Sequence, residues 1–458
     1  MTPEYLAFLA AKAPTPAASG IVPVPMPRHM FDYQAASTEF CLRQGRAALF
    51  LDTGLGKTIC ELEYAHQAAI ATNGYALILT PLAVARQIEA EGRRFDYTCK
   101  VIREMADVEP GINICNYDRL DKLDASAFGV VVLDESSVLK SFTGATTRAL
   151  IQAFAETRFK LCATATPAPN DHMELGQHAE FLGIMASNEM LARWFISDQT
   201  KMGRYRLKRH GEEAFWDWMA GWSRCASSPE DLGFDGSRFV LPPLKIIRHK
   251  VAGDVRSPAG SLFMEDLSAT NIHSVKRHTA EARAQFVAQL VETQPTESWL
   301  VWVDTDYEAD QVVSRLPDAI DVRGSQSPER KEEGLSAFLT TGRPLVTKPS
   351  IAGQGLNYQH CARMAFVGRS FSYEQWYQAV RRCWRFGQTR EVEVHLAVAE
   401  GEDQIGRVID RKAEDHRQMK ASMAKSMMRS RVAAAKVKVS YQPTHKGIIP
   451  TWLTSSSV

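Results

Sequence analysis

An α/β fold built on parallel sheets is the class this sequence predicts, on three observations. Short runs rich in Val, Ile and Leu recur with helical patterns between them. The runs are apolar throughout rather than alternating, as strands covered on both faces are. The series occurs twice, separated by a stretch without it, so two α/β units flank a mostly helical insertion.

In chain order, residues 11–27 hold five prolines and predict an extended lead-in, which assigns 1–29 to a non-core segment. The first strand series reads at 47–52, 75–80, 112–117, 129–134 and 159–164, placing a first lobe over 30–185. Residues 186–265 show no convincing strand series but hold Trp194, Trp216, Trp218 and Trp222, four of the nine tryptophans; Phe215, Met219 and Trp222 share one helical face. These aromatics predict the insertion's own core more readily than a platform for stacking bases. Strands resume at 299–303, 319–322, 345–347, 364–367 and 392–398 and define a second lobe over 266–400. From about Glu402 the chain reads as one long helix, a basic tail over 401–458; between His416 and Lys438 it has seven Lys or Arg and no Asp or Glu. That tail suits either DNA or the back of the lobes. Met419, Met423 and Met427, four apart, predict a packing stripe.

Composition narrows the function classes. A chain of 458 residues suggests roughly three domains or lobes. Lys plus Arg number 54 against 53 Asp plus Glu, a net charge of +1, which excludes a polycation coating nucleic acid indiscriminately. Hydrophobic residues at 45% and charged residues at 23% exclude wholesale disorder. Eight scattered cysteines without a Cys-x-x-Cys pair argue against zinc and fit a reducing compartment. No apolar run is long enough to span a membrane and no secretory leader is legible, so a soluble cytoplasmic protein is expected.

Two elements carry chemistry. The first strand runs into Thr53-Gly54-Leu55-Gly56-Lys57-Thr58 and then a helical pattern. Glycines there let backbone N–H groups and a helix N-terminus face phosphate oxygens, Lys57 reaches the β- and γ-phosphates, and the Thr58 hydroxyl suits Mg²⁺. The strict phosphate-loop pattern has a glycine where Leu51 stands. The fourth strand ends in Asp134-Glu135-Ser136-Ser137, two acids where a metal-holding Asp and a water-positioning Glu belong. Lys201, Arg204, Arg206, Lys208 and Arg209, five cations in nine residues with Tyr205 among them, are either a track for a phosphate backbone or a solvated charged face.

Taken in order, these and further segments resemble the superfamily-two helicase-type ATPases, specifically the Swi/Snf-like branch of double-stranded-DNA translocases, over roughly residues 30–400. Tyr33-Gln34 resembles the upstream motif, which implies that Gln34 reads adenine. Leu51–Thr58 resembles motif I, with Leu51-Asp52-Thr53 where the family has Asp-Glu-Met. Thr80-Pro81-Leu82 and Asn116-Tyr117 resemble the DNA-side motifs of the first lobe. Asp134-Glu135 resembles motif II, with Ser136-Ser137 in place of Ala-His and Leu139-Lys140 continuing it. Thr164-Ala165-Thr166-Pro167 with Asn170 and Glu174-Leu175 resembles motif III. In the second half Trp302-Val303-Asp304 stands at motif IV, Gly324-Ser325 with Arg330 and Phe338 resembles the family's next helix, and Gly353-Gln354-Gly355-Leu356-Asn357 resembles motif V. Gln378 through Gln388 resembles motif VI, with Arg381 where Asp is usual and Trp384 where His is usual.

The resemblance implies two RecA-like parallel-sheet lobes with a helical insertion and a C-terminal helix. It implies ATP and Mg²⁺ as cofactors and double-stranded DNA as partner, in a bacterial or phage-infected cell. Lys57, Thr58, Asp134 and Glu135 would hold and activate Mg·ATP, with Thr53, Gly54 and Gly56 in the loop. Gln378, Arg382 and Arg385 would act from the second lobe. Arg382 and Arg385, three apart, are expected on one helical face. Pro81, Asn116, Tyr117, Gly353, Gly355 and Asn357, with Lys201 and Arg204, would meet nucleic acid. The activity expected is ATP-driven movement on duplex DNA. Strand separation on DNA or RNA, or a catalytically weak scaffold, are the alternatives.

Overall fold

A computed structural model describes residues 18–81, 84–140, 144–197, 205–251, 269–353, 357–399 and 403–437, with backbone alone at 269–275, 328, 403–404 and 430–437. Among the expected site residues, Lys201, Arg204 and Gly355 lie outside these ranges.

Seven strands form the first sheet: β1 (Arg46–Leu51), β2 (Tyr75–Thr80), β3 (Cys99–Val101), β4 (Gly111–Asn116), β5 (Val130–Asp134), β6 (Phe159–Ala163) and β9 (Ser223–Ala226). Their order is β3-β4-β2-β5-β6-β1-β9, and every pairing is parallel. The six-stranded second sheet takes β10 (Leu244–Val251), β11 (Trp299–Trp302), β12 (Ile320–Val322), β13 (Leu345–Thr347), β14 (Arg363–Phe366) and β15 (Val392–Ala399) in the order β10-β15-β14-β11-β13-β12, again all parallel. A two-stranded antiparallel pair, β7 (Phe195–Ser197) with β8 (Tyr205–Leu207), stands apart. Helices cover both faces, and the central strands β5 and β11 are buried at every residue, which is why their sequences read as unbroken apolar runs.

The stretch expected to lack strands is a correction. β9 closes one edge of the first sheet beside β1, and β10 forms an edge of the second beside β15, so 186–265 contributes to both sheets instead of standing apart as a helical body. β10, Leu-Lys-Ile-Ile-Arg-His-Lys-Val, is never fully buried, and a half-exposed edge strand lacks the apolar run that marks a central one.

The tryptophans are core, as expected, but of the first lobe rather than of a separate insertion. Trp222 is fully buried against Trp218, ring centroids 5.4 Å apart, and Trp218 packs in turn with Trp194 at 4.7 Å and Phe215 at 5.8 Å. The long helix Asp403–Val437 is docked on the lobes. Met419, Met423 and Met427 are buried in the first lobe's hydrophobic core, worth about 1.5–3 kcal/mol each if fully transferred from water. Ile405 and Ile409 pack with Tyr373 of the second lobe. The helix therefore touches both lobes. Among the described residues no helix is long and apolar enough to cross a membrane.

Candidate nucleotide site between the lobes

In a parallel sheet all strands end on the same side, and that side is where α/β proteins bind ligands. β1, β2, β5 and β6 are adjacent, so their tips bring the loop 52–56, Thr80, Asp134-Glu135 and Thr164 to one place. Gly54 and Gly56 have φ of +93° and +71°, values that side chains other than glycine rarely adopt. A Cβ on Gly56 would also collide with the Gln34 amide, and one on Gly54 would stand 3.1 Å from the Phe386 nitrogen. Gly56 caps the helix Lys57–Ile70, whose N-terminus faces the loop, an arrangement suited to an anion. The Lys57 ammonium donates to the Leu51 carbonyl at 3.1 Å, and Thr58 lies in the first turn of that helix.

The two acids differ in environment. Asp134 accepts a hydrogen bond from the Thr80 hydroxyl at 2.7 Å. Burial, then the neighbouring Glu135 charge, pushes its carboxyl up to about 6. Glu135 has a left-handed backbone, φ +52°, and its Oε2 accepts from the Thr164 hydroxyl at 3.1 Å. A non-glycine residue held there costs on the order of 1–3 kcal/mol and points to a carboxylate placed for use. Behind them Glu61 is fully buried with both carboxylate oxygens unpartnered among the described residues. Burial, followed by repulsion from Asp134, raises its pKa well above the usual range. Hard oxygen donors from Thr58 and Asp134 beside a glycine cradle fit Mg²⁺.

Gln34 uses its amide internally: Oε1 accepts from the Phe31 N–H and Nε2 donates to the Leu55 carbonyl, both at 3.0 Å. It thereby ties the upstream motif to the glycine loop. Phe239, which the sequence did not single out, sits edge-on to Tyr33 and stacks on Phe386 at 4.7 Å.

From the second lobe, Arg382 and Arg385 approach as expected, but not from a helix face. The helix Tyr373–Val380 ends at Val380 with Arg381 as its cap, and both arginines lie in the turns beyond it. Arg385 and Phe386 press on Gly54. Burial, then Arg382 and Arg381, lowers the Arg385 guanidinium to about 10. Burial also lowers Arg382, with the Glu135 charge across the cleft opposing it. Gln378 is buried, and its Nε2 has no partner among the described residues. Arg381 clamps the loop directly, with Nη2 donating to the Thr53 carbonyl at 2.6 Å and lying 3.2 Å from Asp52.

Pro81 and Asn116 lie side by side, because Thr80 and Asn116 are paired in β2–β4. Tyr117 turns inward and donates its hydroxyl to the Asp134 carbonyl at 2.7 Å, so that group is committed to the tip of β5. Gly353 is buried at the end of the helix Pro349–Ala352, and Asn357 is exposed, both on the other lobe. Of the basic patch, Arg206 and Arg209 are exposed, while Lys208 caps two carbonyls, Ala192 and Arg193, at 2.9 Å. His178 stands near the motif II serines: its Nε2 is 3.2 Å from the Ser136 hydroxyl.

No protein-family model matches the chain. It is similar to the bovine (Bos taurus) SWI/SNF-related matrix-associated actin-dependent regulator of chromatin subfamily A-like protein 1, at 23% identity over 81% of this chain and 42% of that protein. The chain thus spans less than half of that relative's length. Among solved structures it is similar to a Sulfolobus solfataricus SWI2/SNF2 ATPase core in complex with dsDNA, at 15% identity and a TM-score of 0.42, covering 88% of this chain and 96% of that one. The two-lobed α/β fold stands on the strand orders above; the sequence kinship is to a Swi/Snf-related protein.

Proposed function

We propose that the chain is an ATP-hydrolysing motor of the Swi/Snf-like type that moves along double-stranded DNA, with ATP and Mg²⁺ in the cleft between two RecA-like lobes. The observation that carries the reading is the seating of Arg385 and Phe386 of one lobe on Gly54 of the other, opposite Asp134 and Glu135. Thr53, Gly54, Gly56 and Lys57 cradle the phosphates, and Gln34 with Tyr33 borders the base. Thr58 and Asp134 hold Mg²⁺, which when bound neutralises charge developing on the transferred phosphoryl group. Glu135 orients and deprotonates the attacking water. Arg382 and Arg385 contact the γ-phosphate from across the cleft, so turnover depends on closure of the two lobes. Pro81 and Asn116 on one lobe and Gly353 to Asn357 on the other follow the DNA backbone, with Lys201 and Arg204 as further phosphate contacts.

The test is ATP hydrolysis by Lys57→Ala beside the unaltered chain. Loss of nearly all turnover, with the fold retained by circular dichroism, is expected. Full activity in the variant would show that phosphate is handled elsewhere.

A further inference from the structure

Beneath the C-terminal helix lies a cavity of about 710 Å³ that adjoins the glycine loop, within the range of small-molecule sites. Tyr373, Trp376 and Tyr377 of the second lobe form an aromatic wall, and Arg381, His416 and Lys420 supply the polar lining. Asp52, at the tip of β1, reaches in from the first lobe.

The polar lining is incompletely matched. Among the described residues Asp52 is the one buried anion facing Arg381 at 3.2 Å and Lys420 at 3.4 Å, and both cations also lie over the Tyr377 ring at 5.8 Å, so the buried set retains one positive charge. The other acids on the wall are engaged: Asp410 pairs with Arg248 at 2.7 Å, and Asp231 accepts from the Ser227 and Ser228 N–H groups. Lys420 is 7% exposed, yet its ammonium makes no hydrogen bond among the described residues. The same holds for Arg381 Nε, Trp376 Nε1 and both ring nitrogens of His416, which is 4% exposed. The His416 ring lies 5.4 Å from Tyr373 and 5.7 Å from Tyr377. Buried donors and an uncompensated cation are costly unless a partner arrives, and nearly all the unused atoms here donate.

We propose that this cavity binds a small aromatic monoanion, a flat ring bearing one carboxylate or sulfonate, with the ring against Tyr373, Trp376 and Tyr377 and the anionic oxygens on Lys420, Arg381 and His416. Stacking on these rings and the charge-assisted hydrogen bonds act together. The site shares Asp52 and Arg381 with the glycine loop, because Asp52 also accepts from the Thr53 N–H at 2.6 Å. On the ATPase reading above, an anion drawing Lys420 and Arg381 away from Asp52 frees that loop and alters turnover.

The probe is 2-naphthoate, titrated calorimetrically into the full chain, so binding is read without reference to ATP. One molecule bound per chain is expected. The neutral 2-naphthylmethanol should bind about tenfold or more weakly. Lys420→Met should weaken 2-naphthoate to a similar degree, and Lys420→Arg, which keeps the charge, should restore it. Absence of binding at millimolar probe, equal binding of the neutral analogue, or undiminished binding to folded Lys420→Met overturns the proposal. The two-probe comparison uses the unaltered chain and decides the matter even if Lys420→Met fails to fold.

Discussion

Asp52 offers the sharpest energetic test of how the lobes are held together. Its carboxylate, 8% exposed, accepts from the Thr53 N–H and the Tyr377 hydroxyl and lies within 3.4 Å of Arg381 and Lys420. Burial opposes its ionisation, but Arg381, then Lys420, then the Tyr377 and Thr53 hydrogen bonds outweigh that and hold it well below the usual carboxylate range. Asp52→Asn keeps the shape and the Thr53 contact but leaves two buried cations uncompensated. Breaking a buried pair from one side costs about 3–5 kcal/mol, and this variant belongs at the top of that range. Arg381→Gln leaves Asp52 still facing Lys420, so about 1–3 kcal/mol is expected. Urea unfolding followed by tryptophan fluorescence measures both, with the double variant closing a cycle in which the combined cost falls short of the sum. If Asp52→Asn lies within about 1 kcal/mol of the parent, or costs less than Arg381→Gln, the assigned charge network is wrong.

Two further outcomes follow from the site. Arg385→Ala should lower ATP turnover by about 10³–10⁵ while nucleotide binding persists, the behaviour of a finger acting on the transition state; steady-state hydrolysis beside equilibrium binding checks it, and a tenfold or smaller loss of turnover would show that Arg385 packs the cleft without acting on the transferred group. His178, buried and held down to about 4 by burial, is neutral in the folded chain. The unfolded chain takes up a proton below about pH 6.5, so stability contributed by this group is lost as pH falls from there towards 4. That is about 2–3 kcal/mol by pH 4.5, and His178→Gln should flatten this part of the stability profile; an unchanged profile would place the acid sensitivity elsewhere.

The parallel sheets were legible because β1, β2, β5, β11 and β14 are covered on both faces and their sequences are apolar except at the strand ends. β3, with three half-buried residues, and β10, half-exposed along its length, carry no such mark. The placement of Lys57, Thr58, Asp134 and Glu135 was readable because each sits at a strand tip or helix start that local sequence specifies. The helix end at Val380 was not, since nothing at 381–385 breaks a helix by composition; the turn is fixed by contacts of Arg381 with the loop of the other lobe. Arg381 reversed the charge of the resembled pattern while Asp52 on the other lobe kept an acid, and that pair of opposite charges was the available signal that they meet. Phe239 and Lys420 gave none, because their roles depend on elements far away in sequence.

The central claim is that ATP hydrolysis in this cleft drives movement on duplex DNA. Steady-state ATP hydrolysis with no nucleic acid, duplex DNA, single-stranded DNA or RNA, with Lys57→Ala as the control, tests it most directly. Strong stimulation by duplex alone, absent in the variant, is the predicted result. Stimulation by single strands or RNA but not by duplex, or the same low rate under every condition, would contradict it.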